Sequence, residues 1–199
     1  MHKAAKIGLF GGTFDPPHNA HLNLAHFVLK ALKLDLIYFI PAALHALKNN
    51  ISLTAQDKRY DMLCVAVENN DKFRVSKIEL ELLNTSYTVD TLRAFRDYEK
   101  LGNAELYYIL GSDNLYEIHL WKNPEEIFHL AKVVVLRRPG YQDTSILEKY
   151  KDKITILQSP LYDISSSDIR RKIRKGISVK DYVPERVMEK IRAYKLYQK

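Results

Sequence analysis

Cysteine is almost missing from this chain. The one present, Cys64, cannot form a disulfide within the chain. It sits in the apolar helical context MLCVAV and reads as a small core residue rather than a nucleophile. A chain without internal disulfides suits a reducing compartment, so a cytoplasmic location is expected. Long hydrophobic runs are missing too. None reaches the about 18 residues that a membrane helix requires, so no membrane partner is expected. The opening residues, MHKAAKIGLFGG, lack the apolar region and cleavage pattern of a secretory signal and are expected to form a first strand. No repeat, low-complexity tract or linker interrupts the 199 residues, so one domain spanning 1–199 is expected. Acid falls short of base, 24 residues against 31, and the resulting charge of +7 favours anionic partners. The basic residues cluster at 170–176 and in the last helical stretch, with no interleaved aromatics. Nucleotides rather than nucleic acid are the expected anions.

Apolar strand-like runs alternate with amphipathic stretches along the whole chain. Strands are expected at 6–10, 36–40, 73–75, 106–110, 132–136 and 154–156, and helices at 20–32, 54–68, 88–101, 123–130, 166–174 and 184–197. That alternation implies an α/β, Rossmann-like domain with a mostly parallel sheet and helices on both faces. The helices over about 166–197 are expected to pack on its body. Such sheets bind ligands beyond the carboxyl ends of their strands. Two loops lie at such ends: Gly11-Gly12, and Gly111-Ser112-Asp113 after LYYIL. The connection 41–53 is too long for a plain turn and reads as a binding loop.

The first strand runs into Gly11-Gly12-Thr13-Phe14, two prolines, and then His18 and His21 at the mouth of a helix. Glycines let a backbone approach an anion, and a helix start offers N–H donors and a favourable dipole. Histidines three apart share a helical face and can bond phosphate oxygens together. A second helix mouth, Ile164-Ser165-Ser166-Ser167-Asp168-Ile169-Arg170, combines hydroxyls, N–H groups and a guanidinium, which suits either simple capping or an anion.

The stretch from Gly11 to His21 resembles the signature of the nucleotidyltransferases that carry His-x-Gly-His. Its GGTFDPPH variant resembles that of the nicotinate mononucleotide adenylyltransferases, with Ala20 in place of glycine. Ser165 to Arg170 resembles the family's Ile-Ser-Ser-Thr-x-Ile-Arg, with Ser167 in place of threonine. The resemblance implies that His18 and His21 are catalytic. It implies an ATP site of Gly11, Gly12, Thr13, Phe14, Gly111, Asp113, Ser165, Ser166, Ser167 and Arg170. The block 86–92 matches the family's Ser-Tyr-Thr-x-Asp-Thr-Leu, which implies acceptor binding by Ser86, Tyr87 and Thr88, with Trp121 stacked on the pyridine ring and Lys48 on the acceptor loop. Two departures stand beside these matches. His45, Ala46 and Leu47 replace a Pro-Pro-His run, which loosens the acceptor loop. Leu82 replaces the arginine of a Glu-Leu-x-Arg block.

The implied reaction is transfer of the adenylyl group of ATP to nicotinate mononucleotide, giving deamido-NAD and pyrophosphate by direct in-line displacement. Mg²⁺ is expected on the ATP phosphates, with no dedicated protein metal site. A homo-oligomer is compatible with the sequence. The alternatives are another acceptor, nicotinamide mononucleotide or phosphopantetheine, or a non-catalytic nucleotide-binding module.

Overall fold

A computed structural model describes residues 4–43, 53–82, 87–115, 118, 121–137 and 149–198. Six strands form one sheet: β1 (Lys6–Gly12), β2 (Leu36–Pro41), β3 (Phe73–Val75), β4 (Glu105–Gly111), β5 (Lys132–Leu136) and β6 (Ile154–Leu157). Their order is β3-β2-β1-β4-β5-β6, and every neighbouring pair is parallel. The helices are α1 (Asn19–Ala31), α2 (Gln56–Val67), α3 (Ile78–Glu81), α4 (Thr88–Tyr98), α5 (Ser112–Leu115), α6 (Pro124–Leu130), α7 (Ser166–Arg174) and α8 (Glu185–Ala193).

The alternation of side chains along each strand sorts the core into two layers. Leu9, Leu106, Leu110, Val133 and Val135 face one way and pack with Val89, Leu92 and Phe95 of α4 and Ile127 of α6. Phe10, Ile37, Phe39, Ile109, Val134 and Leu136 face the other way and pack with Ala25 and Val28 of α1 and Leu63 and Val67 of α2. Strands sealed on both faces carry nearly continuous apolar runs, as in Val133 to Leu136. A third cluster joins α7 and α8 to α2 through Met62, Ile169, Val187 and Ile191, all essentially buried. Each such side chain contributes about 1.5–3 kcal/mol on burial. The exposed Arg186–Glu68 pair between α8 and the end of α2 contributes at most about 1 kcal/mol, so apolar packing holds these helices.

Several boundaries differ from those expected. β1 and β4 run on through Gly12 and Gly111, so these glycines are strand ends rather than loops. α3 and α5 were not expected; both are four-residue helices, too short for a periodic signal. α4 stops at Tyr98, before Lys100 and Gly102 in the left-handed region. α8 stops at Ala193, and Lys195 and Tyr197, also left-handed, turn the chain away from the helix axis. Pro184 is the N-cap of α8 rather than its first-turn residue. Cys64 is half-buried, not sealed in the core.

The decisive feature is where the sheet splits. β1 pairs with β4 only as far as Phe10 beside Ile109. Beyond that point β1 continues with β2 to Gly12 beside Pro41, while β4 continues with β5 to Gly111 beside Leu136. The crevice between the two central strands is therefore bounded by the two glycine-bearing ends. It is the place where strand order reverses and where sheets of this topology take their ligands.

Candidate active site

From the end of β1 the chain enters α1 through the segment 13–18. Phe14 adopts a left-handed backbone (φ 49°), and its ring turns inward, 2% exposed. Gly12 makes this possible: a Cβ there would lie 2.8 Å from the Phe14 ring. The ring packs edge-on against Phe10, Phe39 and His21. Phe14, expected at the ATP site, thus places its side chain in the core and supports a histidine from beneath.

His18 is the N-cap of α1, in extended conformation and almost wholly buried. Its ring stacks on that of His21 with centroids 3.6 Å apart. The main-chain N–H of His18 donates to Nδ1 of His21 at 3.2 Å. With Nδ1 accepting, a neutral His21 carries its proton on Nε2, the form that donates to an anion. The mouth of α1 has fewer open N–H groups than a bare helix start. The Asn19 N–H donates to the Tyr182 carbonyl and the His21 N–H to the His18 carbonyl. Ala20 is buried here, its methyl group accommodated where the family signature has glycine.

The serine helix mouth is brought to this segment by direct bonds. The Ser166 hydroxyl donates to the Pro16 carbonyl at 2.9 Å, and Arg170 Nη1 donates to the Asp15 carbonyl at 2.7 Å. Ser165 caps α7, accepting the Asp168 N–H at 3.1 Å while its hydroxyl donates to the Asp168 carboxylate at 2.8 Å. Two motifs about 150 residues apart in sequence are therefore one structural unit. The hydroxyls of Ser165 and Ser166 and one guanidinium nitrogen of Arg170 build that unit. Ser167 lies beside them in the first turn of α7, exposed.

The segment that leads into the histidines is tied to a polar hub that sequence reasoning missed. Asp15, 1% exposed, accepts the Thr54 N–H at 3.2 Å and the Tyr197 hydroxyl at 2.5 Å. Burial and the Asp15 carboxylate together push the Tyr197 phenol well above its ordinary value. Arg59 of α2, also 1% exposed, donates to four carbonyls: Thr54 (2.9 Å), Thr13 (2.8 Å), Ala42 (2.7 Å) and Ala43 (3.3 Å). Burial lowers its pKa, and Asp15, Tyr197 and Glu79 oppose that shift, so the guanidinium stays charged. One signal was present in the sequence. Arg59, Met62, Leu63 and Val67 share one helical face, the buried one, and a cation on an apolar stripe requires fixed partners.

On the far side of the crevice are the acceptor candidates. The Thr88 hydroxyl lies 3.4 Å from the Tyr108 hydroxyl, and the Tyr108 ring meets Trp121 edge-on at 6.1 Å. A Cβ on Gly11 would lie 3.5 Å from the same Tyr108 hydroxyl. Tyr108 therefore links Thr88 and Trp121 to the end of β1, and its burial pushes the phenol up to about 12. Tyr87 caps α4 and is not drawn in; its ring stays 42% exposed with the Lys122 ammonium 5.0 Å over it. Glu79 of α3 accepts the Ala43 N–H at 3.1 Å and the Thr91 hydroxyl at 3.0 Å, tying the exit of β2 to α4. Leu82, which replaces the family's arginine, packs against the core beside α4. Lys48 and Ser86 lie outside the described residues, as does most of the loop 41–53, and Asp113 is the second residue of α5, the helix that follows Gly111.

Comparisons with known proteins place the chain in a family. Residues 9–172 match the family described as cytidylyltransferase-like. The "Probable nicotinate-nucleotide adenylyltransferase" of Clostridium tetani is 43% identical over 97% of this chain and 99% of its own length. The protein of the same name from Dictyoglomus turgidum is 38% identical over 94% of this chain and 92% of its own. Among solved structures, the Plasmodium falciparum nicotinic acid mononucleotide adenylyltransferase complexed with NaAD superimposes with a TM-score of 0.76 at 25% identity, covering 97% of both chains. Its complex with APC, at 24% identity and a TM-score of 0.77, shares the fold. The matched span runs from the first strand into the serine-mouthed helix. With the sheet split, the histidine pair and relatives this similar over almost every residue, the chain belongs to the nicotinate-nucleotide adenylyltransferases, within the cytidylyltransferase-like family.

Proposed function

We propose that the chain, acting as a single nucleotidyltransferase domain, joins ATP to nicotinate mononucleotide across the split between β1 and β4. The 5′-phosphate oxygen of the mononucleotide attacks the α-phosphorus of ATP. The bond from that phosphorus to the β-bridging oxygen breaks, deamido-NAD forms and pyrophosphate leaves. The attacking phosphate is already ionised at neutral pH, so no strong base is required. Catalysis is positioning and charge stabilisation. His18 and His21 would bond oxygens at the α-phosphorus, with the Nε2 proton of His21 fixed by the bond at its Nδ1. The mouth of α7, with Ser167 and the remaining donors of Arg170, would hold the β- and γ-phosphates, and the ends of β1 and β4 would take the rest of the nucleotide. Thr88 and Trp121 would hold the pyridine.

Mg²⁺ is placed on the triphosphate rather than on the protein. The buried carboxylate of the site, Asp15, is committed to Tyr197 and the Thr54 N–H. When bound, the ion would offset charge on the departing pyrophosphate. No described helix is long and apolar enough to cross a membrane, in keeping with an enzyme that meets both substrates in the cytoplasm.

The observation that carries this reading is the pair of bonds from Ser166 and Arg170 to Pro16 and Asp15, which seat the mouth of α7 against the segment that leads into the histidine pair. Pyrophosphate release from ATP tests it, with nicotinate mononucleotide, nicotinamide mononucleotide, phosphopantetheine or no acceptor. Release with nicotinate mononucleotide well above the others supports it. Equal release with all, or none, defeats it.

A further inference from the structure

We propose that Arg59 is the positioning residue that sets the acceptor side of the crevice in register with the phosphate side. The proposal rests on the adenylyl-transfer reading above. Its basis is the identity of the carbonyls this guanidinium holds. Thr13 belongs to the segment that leads from β1 into the histidine pair, whereas Ala42 and Ala43 leave β2 at the start of the acceptor loop. Thr54 closes the same connection on its way into α2. One planar fork thus joins the strand exits on which the two reacting phosphates would sit.

A cation sealed from solvent has to be satisfied on every side, which makes the fork a rigid gauge rather than a loose tether. Its partners reinforce the placement. Glu79 holds the N–H of Ala43 while Arg59 holds its carbonyl, so both main-chain polar groups of this residue are gripped. Asp15 holds the Thr54 N–H while Arg59 holds the Thr54 carbonyl. No carbonyl bonded by Arg59 is expected to touch substrate, so the residue acts through the loops. In an in-line displacement without a covalent enzyme intermediate, the distance between attacking oxygen and α-phosphorus carries much of the rate, and a shift of about 1 Å costs about 100-fold. Lysine carries the charge but cannot reach three segments at once, because it lacks the planar fork.

The test uses the full-length protein as wild type, Arg59→Lys and Arg59→Ala. It records thermal unfolding, ATP affinity by calorimetry, and kcat and KM for nicotinate mononucleotide well below the unfolding midpoint. The expected result is a folded Arg59→Lys protein whose ATP affinity stays within about threefold and whose kcat falls about 100-fold. In Arg59→Ala, millimolar guanidinium ion should restore part of kcat where methylammonium does not. Wild-type kcat in Arg59→Lys, or losses that follow only the unfolded fraction, would overturn the proposal. Should neither arginine variant fold, Glu79→Ala releases the same residue, Ala43, at its N–H. Raised acceptor KM or lowered kcat at unchanged ATP affinity is then expected, and a wild-type profile overturns the proposal. A wild-type protein inactive with nicotinate mononucleotide would overturn the functional reading and this proposal together. Active wild type with unaffected variants would remove only the positioning role.

Discussion

The hydroxyl of Tyr197 donates to the carboxylate of Asp15 at 2.5 Å, although 182 residues separate them in the chain. Asp15 precedes the histidine pair by three residues, so the far end of the described chain is bonded to the segment that leads into the candidate catalytic helix. Removing this donor leaves a buried carboxylate with its Thr54 bond and the attraction of Arg59. Tyr197→Phe is expected to destabilise the fold by about 1–3 kcal/mol, the cost of an unsatisfied buried acceptor. Urea unfolding measures it, and an unchanged midpoint would show that Asp15 finds another donor.

The stacked histidines divide the work of α1. His21 is half-buried and its ring completes the cap of α1 by accepting the His18 main-chain N–H, so His21→Ala should cost about 1 kcal/mol of stability, stay folded, and lose roughly 10²–10⁴-fold in kcat. His18 is buried and is the N-cap, so alanine there would confound folding with catalysis. Asparagine preserves a capping side chain, and His18→Asn should retain the fold while losing turnover on a similar scale. Because one ring rests on the other, the double variant should lose little more than either single one. Circular dichroism and steady-state kinetics on the three proteins check this, and fully multiplicative losses would mean that the rings act independently.

Arg170 connects its helix to Asp15 through one nitrogen. Arg170→Ala should weaken ATP binding by about 1.5–3 kcal/mol through loss of a charge-assisted contact, with acceptor affinity little altered. Equal weakening of both substrates in calorimetric titrations would assign the arginine to holding α7 in place.

Phenols raised by burial make the fold sensitive to alkali. Tyr108 is pushed from 10.0 to about 12, and Tyr197 is raised by burial and by Asp15. The folded chain keeps these protons above pH 10 where the unfolded chain releases them, so folding retains more protons and stability must fall as pH rises. Their contribution is whole below about pH 10 and, for Tyr108, is lost as pH approaches about 12. Unfolding midpoints taken upward from about pH 8 should be level and then decline, with a shallower decline in Tyr108→Phe. A decline that begins below pH 9 would require other groups.

The strands, the two-sided packing and the starts of α1 and α7 were legible because each rests on local pattern: period two, period 3.6, and hydroxyls or glycines at element ends. The polar hub was not, although Arg59 left a trace on the apolar stripe of α2. Its partners at Thr13, Ala42 and Ala43 are 46, 17 and 16 residues away, and only the parallel order of β1 and β2 brings them together. The burial of the Phe14 ring was hidden for a similar reason. Its left-handed backbone, and the space above Gly12 that admits its ring, are properties of the fold rather than of the motif. Tyr197 reads as the continuation of a helix, but two left-handed residues carry it instead to Asp15.

Acceptor choice should follow from the group formed by Thr88, Tyr108 and Trp121. The first N–H groups of α4, at Thr88 and Val89, have no intrahelical acceptor, as at any helix start, whereas Asp90 and Thr91 donate to the Tyr87 carbonyl. A nicotinate carboxylate placed there gains charge-assisted bonds and the favourable end of the helix dipole; a neutral carboxamide gains less from both. Trp121, steadied by the edge of Tyr108, offers a flat face to an electron-poor ring. The kcat/KM for nicotinate mononucleotide should therefore exceed that for nicotinamide mononucleotide by about tenfold or more, the ratio that about 1.4 kcal/mol provides. Trp121→Ala should raise KM for both acceptors while leaving the ratio and ATP affinity near wild type, because stacking does not read the charge. Thr88→Pro is expected to narrow the ratio, since it deletes one N–H at a position where proline suits a helix start. A ratio near one in the wild type would remove the carboxylate from α4 and leave adenylyl transfer standing. An unchanged ratio in Thr88→Pro would place the selection on donors other than the Thr88 N–H.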